Sequence, residues 1–118
     1  MEIDKICIEY LAVPYSHPDP EIRELRFQLA NRIASILMQE GRFIYSPISH
    51  SHPIALYGLP KGWDFWQKYD IAFLHLCKKM IIVMLDGWEE SVGIKNEIEI
   101  MQQMNKPIEY LRPEDYGI

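Results

Sequence analysis

No apolar run in this chain approaches the ~18 residues that a membrane-spanning helix needs. No charged, then apolar, then small-residue pattern of a secretory leader opens it. Cysteine is scarce. Cys7 and Cys77 are the only two, both within apolar runs, which excludes a disulfide scaffold and predicts reduced core residues of a cytoplasmic protein. Positive charge is also in short supply. Twelve Lys and Arg against seventeen Asp and Glu leave a net charge of −5. That excludes a nucleic acid polymer held by general phosphate neutralisation, while a small basic pocket for one phosphate remains open. No glycine-rich loop follows the first apolar run. Pro14-Tyr15-Ser16 stands where a dinucleotide fold carries its glycine fingerprint, so nicotinamide and flavin dinucleotides are not expected, nor is any other cofactor. Repeats, low-complexity tracts and linkers are lacking, and 118 residues predict one domain over 1–118, large enough for its own core.

What is present is alternation. Ile6 to Val13 is apolar except for Glu9 and reads as a buried strand ending at Pro14. Three prolines make Pro14 to Pro20 a loop. From Glu21 a helix is predicted, with Ile22, Leu25, Leu29, Ile33, Ile36 and Leu37 as its apolar stripe and Gly41 as its C-terminal cap. Phe43 to Ser46 is a short second strand stopped by Pro47. Ser49 to Gly62, rich in Ser, His, Pro and Gly, reads as a loop. Trp63 to Gln67 reads as a short helix, and Asp70 as the cap of a second one over Ile71 to Leu76. Met80 to Leu85 is a strand buried on both faces, Asp86-Gly87 its turn, Ser91 to Met104 a helix and Ile108 to Leu111 a last strand. The order β-α-β-α-β-α-β predicts an α/β fold with a parallel sheet of four to five strands between helices on both faces. Ligands in such folds bind beyond the carboxyl ends of the strands. The loops there follow Val13, Ser46 and Leu85, and they bring Tyr10 and Ser16, His50 and His52, and Ser91 and Glu97 towards one cleft.

Helix-face spacing singles out Glu97. Its i±3 and i±4 neighbours are Gly93, Ile94, Ile100 and Met101, whereas those of Glu99 are Lys95, Asn96, Gln102 and Gln103. A carboxylate on an apolar face is costly without a partner or a task. It could pair with a base such as Arg112, or act as nucleophile or acid/base at a glycosidic carbon with Asp70 as partner. Tyr10 could hold the Glu97 carboxylate or be an ordinary core tyrosine. Ser91 with Gly93 could bind an anion at a helix start, or Ser91 could simply cap the helix. His50 and His52 could be a metal or phosphate pair, but no acidic or Cys third ligand is near, so no metal is expected. Trp63, Phe65 and Trp66 fit either base stacking or a core or oligomer interface.

Together, Tyr10-Leu11-Ala12-Val13-Pro14-Tyr15-Ser16, Ser46-Pro47-Ile48-Ser49-His50, Asp70, and Asp86-Gly87-Trp88 with Ser91-x-Gly93-x-x-x-Glu97 resemble the nucleoside 2-deoxyribosyltransferase superfamily, and more closely a small bacterial and phage branch of it. The resemblance implies a flavodoxin-like (Rossmann-like) three-layer sandwich. It also implies cleavage or transfer at the N-glycosidic bond of a nucleoside or nucleoside 5′-monophosphate. Glu97 matches the glutamate that attacks C1′, Tyr10 the tyrosine that orients it, and Asp70 the aspartate near base and sugar. Ser91 matches the position that receives the 5′ end of the sugar. There Asp suits a 5′-hydroxyl and Ser a phosphate, so Ser91 tilts the expectation towards a monophosphate. Pro14, Ser16, His50, Asp86 and Gly93 fall on substrate- or phosphate-binding positions. The nucleotide hydrolases carry a Ser-x-Arg grip in the first loop. Here Ser16 is followed by His17 and Pro18, with Arg23 and Arg26 only in the helix. A homodimer or homotetramer is implied, and a membrane partner is not. The competing expectation is a non-catalytic module that senses a nucleotide in the same cleft.

Overall fold

The computed structural model describes residues 5–118. Four strands form one all-parallel sheet: β1 (Ile8–Ala12), β2 (Phe43–Tyr45), β3 (Lys79–Val83) and β4 (Ile108–Leu111), in the order β2-β1-β3-β4. β1 pairs with β2 and β3, with Tyr10 opposite both Tyr45 and Met80. This is the flavodoxin-like order with one strand fewer, and strand order reverses at β1 and β3.

Side chains alternate across the sheet and build two cores. Leu11, Val13, Ile81 and Val83 pack against Ala30, Ile33, Ala34 and Leu37 of helix α1 (Pro20–Gln39). On the other face Tyr10, Ala12, Met80 and Ile82 pack against Leu74 of α3 (Trp63–Leu76) and Ile94 and Met101 of α4 (Val92–Gln103). The result is the expected three layers. Asp19 caps α1, accepting from the Glu21 N–H at 2.9 Å, and Pro20 occupies the first helical position, where its missing N–H costs nothing. Gly41 follows α1 with φ 89°, as expected of a C-terminal glycine. The buried stripe of α1 excludes Leu25, which is 52% exposed: five residues before Ala30, it stands about 140° away from it around the helix, off the face that Ala30, Ile33 and Leu37 bury.

Two expectations fail. Pro47–Ala55 is a helix, α2, rather than part of a loop. Pro47 does end β2, but it also starts α2, because a proline's fixed φ suits the first helical turn. Pro53 lies inside that helix and removes one backbone donor. Tertiary burial of Pro47 and His52 outweighs the poor local propensity. The second failure concerns α3, which runs unbroken through Asp70. Trp63, Trp66, Asp70, Phe73 and Cys77 follow at spacings of three and four, a single helical stripe. Asp70 is therefore not a cap, and its carboxyl is free to face inward. Among the described residues no helix is long and apolar enough to cross a membrane.

Candidate functional site

Tyr10, central in β1 rather than at its end, is fully buried and points to the α3–α4 side. Its hydroxyl donates to Glu97 Oε2 at 2.5 Å. Glu97 is 6% exposed, and among the described residues no cation bonds to it. Arg112, the alternative partner, instead pairs with Asp115. Asp70 approaches the same group from α3, and its charge is felt by both Tyr10 and Glu97. Burial first, and the Asp70 charge second, push the Glu97 carboxyl up to about 8, while the Tyr10 hydroxyl pulls it down. Burial likewise raises Asp70 to about 6, against the pull of Tyr10. Burial holds the Tyr10 phenol well above its ordinary value. Two carboxyls that feel each other's charge titrate as a pair, and both shifts favour keeping a proton in the site.

The three residues lie in the wall of a cleft of about 960 Å³, large enough for a nucleotide-sized ligand. A second groove of about 510 Å³, by β2 and the end of α3, is mainly apolar. The large cleft sits where the loops after β1 and β3 and the start of α2 converge, as the topology requires. Ser91 lines it and caps α4, accepting from the Ile94 N–H at 3.2 Å, so the capping role is real. Gly93 is also on the wall. A Cβ there would meet only Ser91 Oγ, at 3.9 Å, so packing within the chain does not demand a glycine. Ser16 lines the cleft as well.

Three anticipated residues do not line it. Pro14 is buried beneath the loop. Asp86 is exposed and contributes a backbone carbonyl, which accepts from Arg26 Nη2 at 3.2 Å. His50 is exposed and faces Tyr45 and Phe73. The reason is helical: two residues apart on α2, His50 and His52 point to different faces. They form no pair, and only His52 reaches the cleft. His52 has both ring nitrogens engaged, by Tyr15 and Glu24, and among the described residues no group of three or more His, Cys, Asp or Glu could hold a metal.

The family described as a domain of unknown function, DUF1937, matches residues 7–112. The chain belongs to the DUF1937 family. No curated protein matches it. The matched span runs from just before β1 to just past β4, so the DUF1937 domain contains the whole sheet and every cleft residue named above.

Sequence reasoning missed the basic side of this DUF1937 cleft. Arg23 and Arg26, three apart on the first turns of α1, both line it. Arg23 Nη1 donates to the His17 carbonyl. Arg26 donates to the Ser16 carbonyl at 3.0 Å and to that of Asp86 at 3.2 Å, joining the first loop to the β3–α4 turn. Gly87 lies under it. Its φ is 93°, a conformation that favours glycine, and a Cβ there would fall 2.6 Å from Arg26 Nη2 and push the guanidinium aside. The overlooked signal was positional: the first turns of the helix after β1 must stand at the ligand edge of the sheet. Trp63 and Trp66 also line the cleft, and Trp66 is fixed by its indole N–H to the Pro60 carbonyl at 2.8 Å.

Proposed function

We propose that the cleft cleaves or transfers at the N-glycosidic bond of a nucleoside or nucleoside 5′-monophosphate, with Glu97 as nucleophile. The observation that carries this reading is a buried glutamate with no cation beside it among the described residues, held by a tyrosine hydroxyl and coupled to a second carboxyl on the wall of a large cleft. A Glu97 oxygen would bond to C1′ as the C1′–N bond breaks. The electron pair leaves with the base, and the proton kept by the Asp70–Glu97 pair goes to the departing base nitrogen. Positive charge developing at C1′ favours the carboxylate form of Glu97 at that moment. Water or a second base then takes the sugar from Glu97. Ser91, the uncrowded Gly93 and the guanidinium of Arg26 stand along one side of the cleft. They supply what a 5′-phosphate needs, namely helix N–H groups and a positive charge. Arg23 and Arg26 thus offer a substitute for the absent Ser-x-Arg grip. This is the chemistry of the nucleoside 2-deoxyribosyltransferase superfamily, and a homodimer or homotetramer belongs to the same proposal.

The test is to incubate the full chain with each nucleoside, deoxynucleoside and 5′-monophosphate and to look for free base by chromatography. Base release that vanishes in Glu97→Ala supports the reading. No base from any substrate, or equal release by Glu97→Ala, overturns it. One observation favours a second reading, a sensor without turnover: a Glu97 carboxyl raised to about 8 is mostly protonated at neutral pH, which suits a donor more than a nucleophile. Saturable binding in calorimetry with the nucleotide recovered intact would favour the sensor.

A further inference from the structure

Outside the carboxyl pair, the opposite wall of the cleft holds a relay that the proposed chemistry leaves idle. Tyr15 follows β1, His52 comes from α2 and Glu24 from α1, and all three line the cleft. Tyr15 Oη lies 2.6 Å from His52 Nδ1, and His52 Nε2 lies 2.7 Å from Glu24 Oε2. The other Glu24 oxygen accepts from Gln28 Nε2 at 3.0 Å. Phe27 stacks on the imidazole with centroids 4.3 Å apart, fixing the ring plane. His52 is 6% exposed.

Proton positions follow from the donor and acceptor inventory. Hydrogen bonds from Gln28 and His52 hold the Glu24 carboxyl below its ordinary value, so it is ionised and only accepts. The Nε2 of His52 must therefore carry a hydrogen. With the ring's one hydrogen on Nε2, Nδ1 is an acceptor, and the Tyr15 hydroxyl donates to it. The only proton of that hydroxyl is used inward, and its remaining lone pairs can only accept.

We infer that Tyr15 is a specificity-determining residue, its oxygen fixed as an acceptor in the cleft by the Glu24–His52 pair, and that the ligand presents an N–H or O–H donor to it. The inference rests on the reading of the cleft as a nucleoside or nucleotide site. The donor is either an amino group on the base or a hydroxyl on the sugar. Glu24 and His52 are positioning residues that act through Tyr15.

Affinities of the full chain for matched ligand pairs of equal charge test this. One arm compares deoxyadenosine with deoxyinosine 5′-monophosphate, and deoxycytidine with deoxyuridine 5′-monophosphate. These pairs differ in amino against oxo groups. The other arm compares a 3′-hydroxyl with a 3′-deoxy sugar. Wild type should favour either the amino member of the first arm, whose exocyclic donor becomes an acceptor in the oxo member, or the 3′-hydroxyl member of the second, by about tenfold, the size of one hydrogen bond; the arm that responds identifies the source. Tyr15→Phe should bring that ratio to within about twofold. Glu24→Lys should reverse it in the amino/oxo arm, whereas a sugar hydroxyl, which accepts as well as donates, should keep its advantage in that variant and lose it only in Tyr15→Phe. An ammonium only donates, so Nε2 must accept, Nδ1–H turns to Tyr15, and the Tyr15 hydroxyl then donates into the cleft. Glu24 has a half-exposed side chain, so lysine is sterically tolerated, and its charge cancels in the ratios. A purely structural role for Glu24 and His52 would weaken all ligands alike and leave the ratios unchanged. Equal affinity within both arms in wild type overturns the inference, as does a preference that survives both variants. Binding or base release without donor preference removes this inference alone, whereas no nucleotide binding at all removes the cleft reading with it.

Discussion

Glu9 and Glu97 are equally buried, at 7% and 6% exposure, yet the chain treats them in opposite ways. Glu9 accepts from Arg42 Nε at 3.1 Å and Nη2 at 2.6 Å, with Lys79 Nζ at 3.6 Å. Glu109 completes the cluster, bonded to the same Arg42 and to Lys79. Two cations thus meet two carboxylates at the start of the sheet. The bonds raise the Arg42 pKa, and Lys79 and Arg42 hold Glu109 below its ordinary value. Glu97, on the far side of Tyr10, has a neutral hydroxyl and a second acid. Burial alone therefore says nothing about function. A buried acid with its charge matched serves the fold, and one left unmatched is a reserve of reactivity.

The largest break in this comparison is Glu97→Gln. Base release should fall on the order of 10⁴-fold or more, as when a nucleophile is removed from a group that acts as a unit. Stability should move the other way. The folded pKa of Glu97 is about 8 against 4.5 for the free group. The native state thus keeps a proton that the unfolded state releases. This stabilises fully below about pH 4.5 and is lost as pH rises through about 8, at roughly 1.4 kcal/mol per pH unit per proton. Glu97→Gln should match wild type near pH 4 and exceed it by a few kcal/mol at pH 8. Urea titrations at the two pH values would read this, and a variant less stable than wild type at pH 8 would sink the unmatched-charge account.

Arg42→Met makes the complementary break. It leaves Glu9 buried with only Lys79 at 3.6 Å, and stability should fall by about 3 kcal/mol. Arg42 lies outside the cleft, so base release per folded molecule should be unchanged. A loss of activity with unchanged stability would reverse the roles assigned to the two glutamates.

The contrast was only half legible in the sequence. Spacing on α4 placed Glu97 on an apolar face, and unbroken apolar runs identified β1 and β3 and their parallel pairing. Glu9 carried no such sign. In a strand buried on both faces one charge interrupts the pattern whether or not it is matched, and Arg42, Lys79 and Glu109 come from three separate segments. Asp70 was legible as a partner for Glu97, and only its alternative role as a helix cap was a misreading. Its i±3 and i±4 neighbours are Gln67, Phe73, Trp66 and Leu74, an apolar setting like that of Glu97, but capping preference at a supposed helix break hid it. α2 was illegible for a different reason: its prolines and histidines have poor helix propensity, and burial against α1 and β1 supplies what local preference lacks. The orientation of His52 towards Tyr15 and Glu24 was hidden with it.

Tyr10→Phe sharpens the comparison on the Glu97 side. The hydroxyl is the only group found to lower the Glu97 pKa, so its loss should raise that pKa further. If Glu97 reacts as the carboxylate, the acidic limb of base release against pH should move upward. The rate below the limb should fall about 10–100-fold, as for a lost hydrogen bond to a charged group. A fall in rate with no movement of the limb would mean that Tyr10 positions the sugar rather than Glu97.

The smallest effect, and the finest test, is Asp70→Asn. Asp70 is the second cause of the raised Glu97 pKa after burial, and its own pKa is raised to about 6 from 3.8. Both shifts mean protons bound more tightly in the folded state, so both make stability decline as pH rises. Asparagine abolishes the Asp70 share of the decline, between about pH 4 and 6, leaves the Glu97 share that begins near pH 4.5, and brings the Glu97 pKa down towards the value that burial alone maintains. The decline between pH 6 and 8 should therefore become shallower by less than one proton, under about 1.4 kcal/mol per pH unit, without disappearing. What remains measures burial, and what is lost measures the like charge. Glu9 also stands near a second acid, Glu109, but with Arg42 and Lys79 bonded to both; Glu97 has the second acid without the cations, and this variant removes that acid. A decline steeper than that of wild type would show that Asp70 supports the Glu97 carboxylate, as a hydrogen-bonded partner sharing the proton, instead of opposing it.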